Sequence, residues 1–174
     1  MTGGATAATA VRLRIRRAGV DDAAGLAAIH EAAFAGTGER GWREEEIARL
    51  IADDTITTLL ATLADGRPAG FVMTRLGGLV ADILSIAVAP AFQRRGIGGR
   101  LLAAALTDAA AGGAGRVFLE VAADNAAAQA LYRQQKFEPV GVRKNYYRRA
   151  DGSRADALVL LLPIGGGCGC DELS

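Results

Sequence analysis

The segment Gln93-Arg94-Arg95-Gly96-Ile97-Gly98 joins the apolar run Ile83-Leu84-Ser85-Ile86-Ala87-Val88 to a stretch where Leu101, Leu102, Ala105 and Leu106 recur on one helical face. A strand that enters a helix through a glycine loop leaves the N–H groups of the first helical turn without partners, and the helix dipole adds partial positive charge there. Gly96 and Gly98 allow the backbone to approach a ligand closely, and Arg94, Arg95 and Arg100 add full charges. A pyrophosphate is the natural guest. The Gly-x-Gly-x-x-Gly order of a dinucleotide fold is absent, and no Gly-Lys-Ser/Thr follows to make a Walker loop. Taken alone, the pattern also suits a plain turn before a helix.

A second concentration of chemistry runs from Leu119 to Tyr132. Glu120 interrupts an apolar strand, and a half-buried acid there needs either a partner or a purpose. By itself it is equally compatible with an outward-facing residue on an edge strand. Tyr132 shares a helical face with Asn125 and Gln129, and an isolated tyrosine in that setting reads as a core residue with its hydroxyl satisfied.

The elements that must hold these groups follow from periodicity and turn chemistry. Arg12 to Arg17 alternates as a half-exposed strand, and Asp21 or Asp22 can cap a helix reaching Phe34. A glycine-rich loop over 35–41 precedes a short helix from about Arg43 to Asp53. Strands are expected over Thr55–Leu63, Ala69–Leu76 and up to Val88, with a turn at Asp65-Gly66-Arg67-Pro68. A helix over Gly98–Ala111 ends at Gly112-Gly113, a strand covers Val117–Val121, and a helix capped by Asp124 or Asn125 runs to Gln135. Two last strands, Phe137–Asn145 and Ala155–Leu162, are joined by a hairpin around Asp151-Gly152. Strands alternating with helices, together with hairpins, give a mixed α/β fold.

At 174 residues the chain is expected to hold one domain, residues 11–163, between a flexible N-terminal tail, 1–10, and a Gly/Cys-rich tail, 164–174. A formal charge of +1 argues against bulk electrostatic binding to nucleic acid or to a membrane surface. No apolar stretch is long enough for a membrane span, no signal peptide is visible, and the cytoplasm is the default compartment. Cys168 and Cys170 lack the further ligands of a zinc site.

The run from Ile86 to Leu102 resembles the signature of the GCN5-related N-acetyltransferase (GNAT) superfamily. Glu120 with Leu119 and Val121, the Asn125…Leu131-Tyr132 spacing, Asn145-Tyr146-Tyr147 and Asp151-Gly152-Ser153-Arg154-Ala155-Asp156-Ala157 resemble the ribosomal-protein-alanine N-acetyltransferases (RimI type) within it. The superfamily resemblance spans roughly residues 12–163. It implies the GNAT acyl-CoA N-acyltransferase fold, a twisted mixed α/β sheet with splayed central strands flanked by helices. It also implies acetyl transfer from acetyl-CoA, without a metal, to a protein N-terminus, by this resemblance the N-terminal alanine of a small-subunit ribosomal protein. By the same resemblance Glu120 is the general base and Tyr132 the general acid. Ile86, Ala87 and Val88 pair their backbone with the pantetheine arm, and Arg94, Arg95, Gly96, Ile97, Gly98 and Gly99 form the pyrophosphate loop. Asn125 contacts CoA, and Tyr146 and Tyr147, with Arg148 and Arg149, lie in the acceptor-binding hairpin, a run that on its residues alone also suits a solvated turn with the tyrosines packed on the sheet edge.

The chemistry suits such a pair. A protein α-amine has a pKa of about 7.7–8.0, so a carboxylate acting directly or through a water suffices as base, and a phenol of about 10 stays protonated at neutral pH. One departure stands out: the family's usual glycine before Phe137 is Lys136 here. In a left-handed conformation a lysine costs roughly 1 kcal/mol relative to glycine, which puts the aim of Tyr132 in question. His30 is expected to be structural, and Trp42 to pack against the second helix, with walling the peptide entrance as the alternative. Asp82 is acidic as the family favours on the acceptor side, with its direction left open.

Overall fold

The computed structural model describes residues 12–37, 39–149 and 151–165. The expected tail over 1–10 and the Cys168/Cys170 stretch lie outside them. The elements are β1 (Leu13–Arg17), α1 (Ala23–Phe34), α2 (Glu44–Ile51), β2 (Ile56–Leu63), β3 (Pro68–Gly77), β4 (Val80–Val88), α3 (Ile97–Ala111), β5 (Arg116–Ala122), α4 (Ala126–Gln134), β6 (Glu138–Arg148) and β7 (Arg154–Pro163). The seven strands form one sheet in the order β1-β2-β3-β4-β5-β7-β6. Only β4 and β5 pair in parallel. This is the mixed α/β architecture expected from the sequence.

β2 and β3 are buried on both faces along most of their length, so they read as apolar runs rather than alternations. Ala69 and Val72 of β3 face Leu101, Leu102 and Ala105 of α3, while Phe71 and Met73 face Leu26 and Ile29 of α1 and Ile47 of α2. β1, on the sheet's edge, keeps the expected alternation, with Leu13 and Ile15 turned toward the core. Asp22 stands at the α1 N-cap but its carboxylate does not cap the helix. It instead pairs with Arg16 and accepts from the Gly19 N–H.

Two irregularities shape the function. The β3–β4 register slips between Met73 and Thr74, leaving Leu84 as an extra residue on β4. Parallel pairing of β4 with β5 ends one residue earlier, at Ile83↔Leu119. A bulge bends the strand that carries it, and from this point β4 and β5 diverge. The second irregularity lies in β6, where the register slips between Arg143 and Tyr147 and Asn145 takes a left-handed φ of 53°.

Candidate active site

The divergence of β4 and β5 opens a cleft of about 2030 Å³. Its floor is the splayed pair, Leu84 to Ile86 and Val88 on one side and Phe118 to Ala122 on the other. One end meets the loop before α3, and the other is walled by the α1–α2 loop and the β6–β7 hairpin.

At the first end Gly96 occupies the α3 N-cap with φ 76°, and no side chain caps the helix. The N–H groups opening α3 therefore keep the exposed positive end that an anion needs. Gln93 folds the loop back, its Nε2 donating to the Val88 carbonyl at 3.0 Å. Arg94 adopts a left-handed φ of 59° and lines the cleft with Gly96, Ile97, Gly98 and Gly99. Arg95 does not line it; its guanidinium lies over the Phe92 ring, 5.8 Å from the centroid. Ala87 is likewise turned away, buried in the core beneath α1 and α2, while Ile86 and Val88 line the cleft. Asn125 is the N-cap of α4, its Oδ1 accepting from the Ala128 N–H at 3.1 Å, and it borders the cleft from that position.

Glu120 lies where β5 has left β4. Its Oε1 is 2.8 Å from Nε of Arg143, and Tyr146 hydrogen-bonds to it, which together with burial raises the Tyr146 phenol's pKa. The Arg143 guanidinium also lies over the Tyr146 ring at 5.4 Å, and Tyr146 and Tyr147 meet edge to face at 5.2 Å. The β6 bulge gathers this group. Asp156 holds the bulge in place, accepting from the Asn145 N–H at 2.9 Å and from Lys144 Nζ at 2.7 Å.

Tyr132 is buried at 5% exposure and borders the same cleft. Burial pushes its phenol up to about 12. Its backbone is fixed by the end of α4, where the Phe137 N–H donates to the Tyr132 carbonyl and the Lys136 N–H to that of Arg133. This is the paired bonding of a Schellman ending, with Lys136 at the left-handed position, φ 68°. The accompanying apolar contact is Tyr132 against Phe137, ring centroids 5.9 Å apart. Lys136 thus accepts the conformation of the family's glycine, and the helix end keeps its path.

Expected site residues from three separate elements therefore meet in one cleft: Glu120 on β5, Tyr132 on α4, and Tyr146 with Tyr147 on β6. Asp82 borders it too. His30 is structural: buried, stacked on Phe34 and Trp42 with centroids 4.4 and 4.7 Å away, and accepting the Trp42 N–H at Nδ1. Burial holds its imidazole down to about 4, so it is neutral at physiological pH. Trp42 packs on His30 against the core beneath α1 and α2, and both residues also line the cleft.

Sequence reasoning missed the partner of Glu120 and the loop residue Glu39, and it gave Arg149 a place in the hairpin but no partners. Arg149, on the hairpin, donates to the Thr37 carbonyl and to Asp124, tying the α1–α2 loop to the β5–α4 loop. No group of three or more potential metal ligands occurs among the described residues. None of their helices is long and apolar enough to cross a membrane.

The profile of the Acetyltransferase (GNAT) family matches residues 24–137. Over 105 residues, 60% of this chain and 70% of the relative, the sequence is 42% identical to a ribosomal protein bS18-alanine N-acetyltransferase of Salmonella typhimurium. A mycothiol acetyltransferase of Clavibacter michiganensis is 40% identical over 133 residues, though the match spans only 43% of that longer protein. Among solved structures, the ribosomal-protein-S18-alanine N-acetyltransferase from Escherichia coli superposes with a TM-score of 0.82 at 31% identity, covering 94% of this chain and all of that one.

Proposed function

The chain belongs to the acetyltransferase (GNAT) family and is an N-acetyltransferase, and on that premise we propose that it moves acetyl from acetyl-CoA to the N-terminal α-amine of a protein. The acceptor we infer is the N-terminal alanine of a small-subunit ribosomal protein, a reading supported by the names of the Salmonella and Escherichia coli relatives. The observation that carries the mechanism is the convergence of Glu120 and Tyr132 on the cleft where β4 and β5 part.

In this reading the pyrophosphate of acetyl-CoA rests on the N-terminus of α3, held by the backbone from Arg94 to Gly99 with Arg95 at the loop's outer side. Asn125 borders the CoA, and the pantetheine arm runs into the gap along the backbone of Ile86, Ala87 and Val88, an edge of β4 that β5 has left. The thioester then lies between Glu120 and Tyr132. N–H groups on that edge can polarise its carbonyl.

The acceptor amine loses a proton to Glu120, directly or through a water, and its lone pair attacks the carbonyl carbon. The C–N bond forms, the C–S bond breaks, and the electron pair leaves on sulfur. With its phenol at about 12, Tyr132 stays a donor at any working pH. Full transfer from such a phenol to a thiolate of about 8.5 is uphill. Tyr132, the general acid of the resemblance, therefore acts on the leaving group chiefly as a hydrogen-bond donor; CoA departs as the thiolate and takes its proton from solvent, while Glu120 gives the amine's proton back to solvent. Arg143 and Tyr146 hold the Glu120 carboxylate in one orientation, and Tyr146 and Tyr147 border the acceptor.

The mycothiol acetyltransferase match supports a second reading, in which the acceptor is a small-molecule amine. The deciding experiment supplies acetyl-CoA and a short peptide with a free N-terminal alanine and one internal lysine, beside an N-terminally blocked copy, and locates the label by mass spectrometry. Label on the α-amine alone is expected. Label on lysine in both peptides would overturn the N-terminal reading, and label on neither would shift the search to small amines.

A further inference from the structure

Glu39 lines the same cleft as Glu120, Tyr132 and Tyr147 but comes from another element, the loop between α1 and α2. Its own N–H donates to Thr37 Oγ1 at 3.2 Å. Its side chain is 27% exposed, and its only ion pair among the described residues is a long one, 3.8 Å to Nη1 of Arg149. Arg149 directs its hydrogen bonds elsewhere, to Asp124 and the Thr37 carbonyl. Among the described residues no hydrogen bond to the Glu39 carboxylate is made, and a half-buried carboxylate is costly unless something satisfies it.

Glu120 is in the contrary situation, with Arg143 2.8 Å away and Tyr146 bonded to it. The Tyr147 phenol lies within electrostatic reach of both carboxylates, and all three border the cleft. The cleft therefore offers one acid already partnered and another waiting for a donor. Burial also raises the Glu39 carboxyl's pKa, against the pull of Arg149.

We propose that Glu39 receives a cationic nitrogen of the acceptor, holding it by a charge-assisted hydrogen bond as the acceptor enters the cleft. An ammonium brings three N–H donors and no acceptor, the complement of this carboxylate. Two sources supply that chemistry: the α-ammonium itself before it is deprotonated, and a basic side chain just behind it. Glu39 is a binding group in this scheme, and proton removal stays with Glu120. The inference rests on the acetyltransferase reading but not on which amine is the acceptor.

The test is steady-state kinetics of the wild type, Glu39→Gln and Glu39→Asp, with two alanine-initiated peptides whose second residue is neutral or basic. Glu39→Gln is expected to raise the acceptor KM by at least about ten-fold, the low end for a hydrogen bond to a charged group. The KM for acetyl-CoA and the melting temperature should hold, and Glu39→Asp should recover part of the loss. A rise with both peptides assigns the α-ammonium, and a rise with the basic peptide alone assigns the side chain. An acceptor KM that stays at the wild-type value with both peptides overturns the proposal, as does an equal rise in the KM for acetyl-CoA. Should the wild type prefer a lysine or a small amine, the N-terminal reading falls, and the same comparison on that equally cationic substrate still decides the role of Glu39.

Discussion

Glu120 and Arg143 form their 2.8 Å ion pair across an intervening strand, since β7 lies between β5 and β6. Glu120 is opposite Val159, and Val159 is opposite Gly141. Gly141 carries no side chain on that row, and Arg143, two residues on and so on the same face, reaches over β7 to the carboxylate. A residue that a sequence shows only as an acid in an apolar strand is thereby held by a partner from the far edge of the sheet.

Glu120→Gln keeps the shape of that side chain and removes its capacity to take a proton. Loss of a positioned general base costs about 10²–10⁴-fold, so kcat should fall by at least about 100-fold. The KM for acetyl-CoA and the melting temperature should change little, because Arg143 is more than half exposed and can turn to water. Stopped-time assays of CoA release measure this, and a kcat within a few-fold of wild type would remove Glu120 from the mechanism.

All three tyrosines of the chain, Tyr132, Tyr146 and Tyr147, border the cleft, so phenolate absorbance reports on the site alone. Each phenol is raised, Tyr132 to about 12 by burial. The folded state therefore holds its phenolic protons more tightly than the unfolded state, whose tyrosines titrate near about 10. Their stabilising contribution is complete below the unfolded value and is lost as pH rises through the folded values. The folded protein should show little phenolate until above about pH 10, and the urea midpoint should drop as pH climbs from there toward about 12. Normal titration of all three in the folded protein would contradict the burial of Tyr132.

Lys136→Gly restores to the left-handed position the residue type with no Cβ to strain. A non-glycine residue there costs roughly 1 kcal/mol. The substitution should therefore raise unfolding stability by about 0.5–1 kcal/mol and leave kcat alone, since the Schellman bonds that place Tyr132 are already made with lysine. Chemical denaturation and turnover measured on the same sample check both halves. A large change in kcat would mean that Lys136 acts on the site directly.

The fold was legible because its signals are local. Alternation in β1, the turn at Asp65-Gly66 and the glycines after α3 each act within a few residues. The observed elements start and stop within two residues of the expected ones, except that β6 continues through its bulge for three residues more, to Arg148. That bulge depends on Asp156, eleven residues away on another strand. The divergence of β4 from β5 depends on the extra residue at Leu84, which no periodicity in the run Ile83 to Val88 reveals. Glu120 and Tyr132 were legible through motif resemblance. Glu39 and Arg149 sit in a loop and a hairpin without repeating pattern, and their meeting is a tertiary event between residues more than a hundred positions apart. Ala87 and Arg95 fall inside the motif as backbone positions of the β4 edge and the loop, and only their side chains leave the cleft, Ala87 by alternation along β4 and Arg95 by lying over Phe92.

Gly98→Ala separates ligand binding from folding at the pyrophosphate loop. A methyl group built on Gly98 would meet Leu131 Cδ2 at 3.4 Å and Val88 Cγ2 at 3.8 Å, ordinary contact distances, and the position has no left-handed φ. Within α3, alanine is also favoured over glycine by about 1 kcal/mol, so the variant should be as stable as wild type or slightly more so. Gly96→Ala differs, because Gly96 has φ 76° and any side chain there is strained. If the pyrophosphate rests against the first turn of α3, the new methyl stands where the phosphate oxygens approach the N–H groups. Weakening one charge-assisted hydrogen bond is worth about 1.5–3 kcal/mol, so the Kd for CoA should rise by about ten-fold or more. Calorimetric titration with CoA alone measures this without an acceptor. An unchanged Kd in a folded Gly98→Ala protein would place the phosphates elsewhere and end the case for this loop as the cofactor anchor.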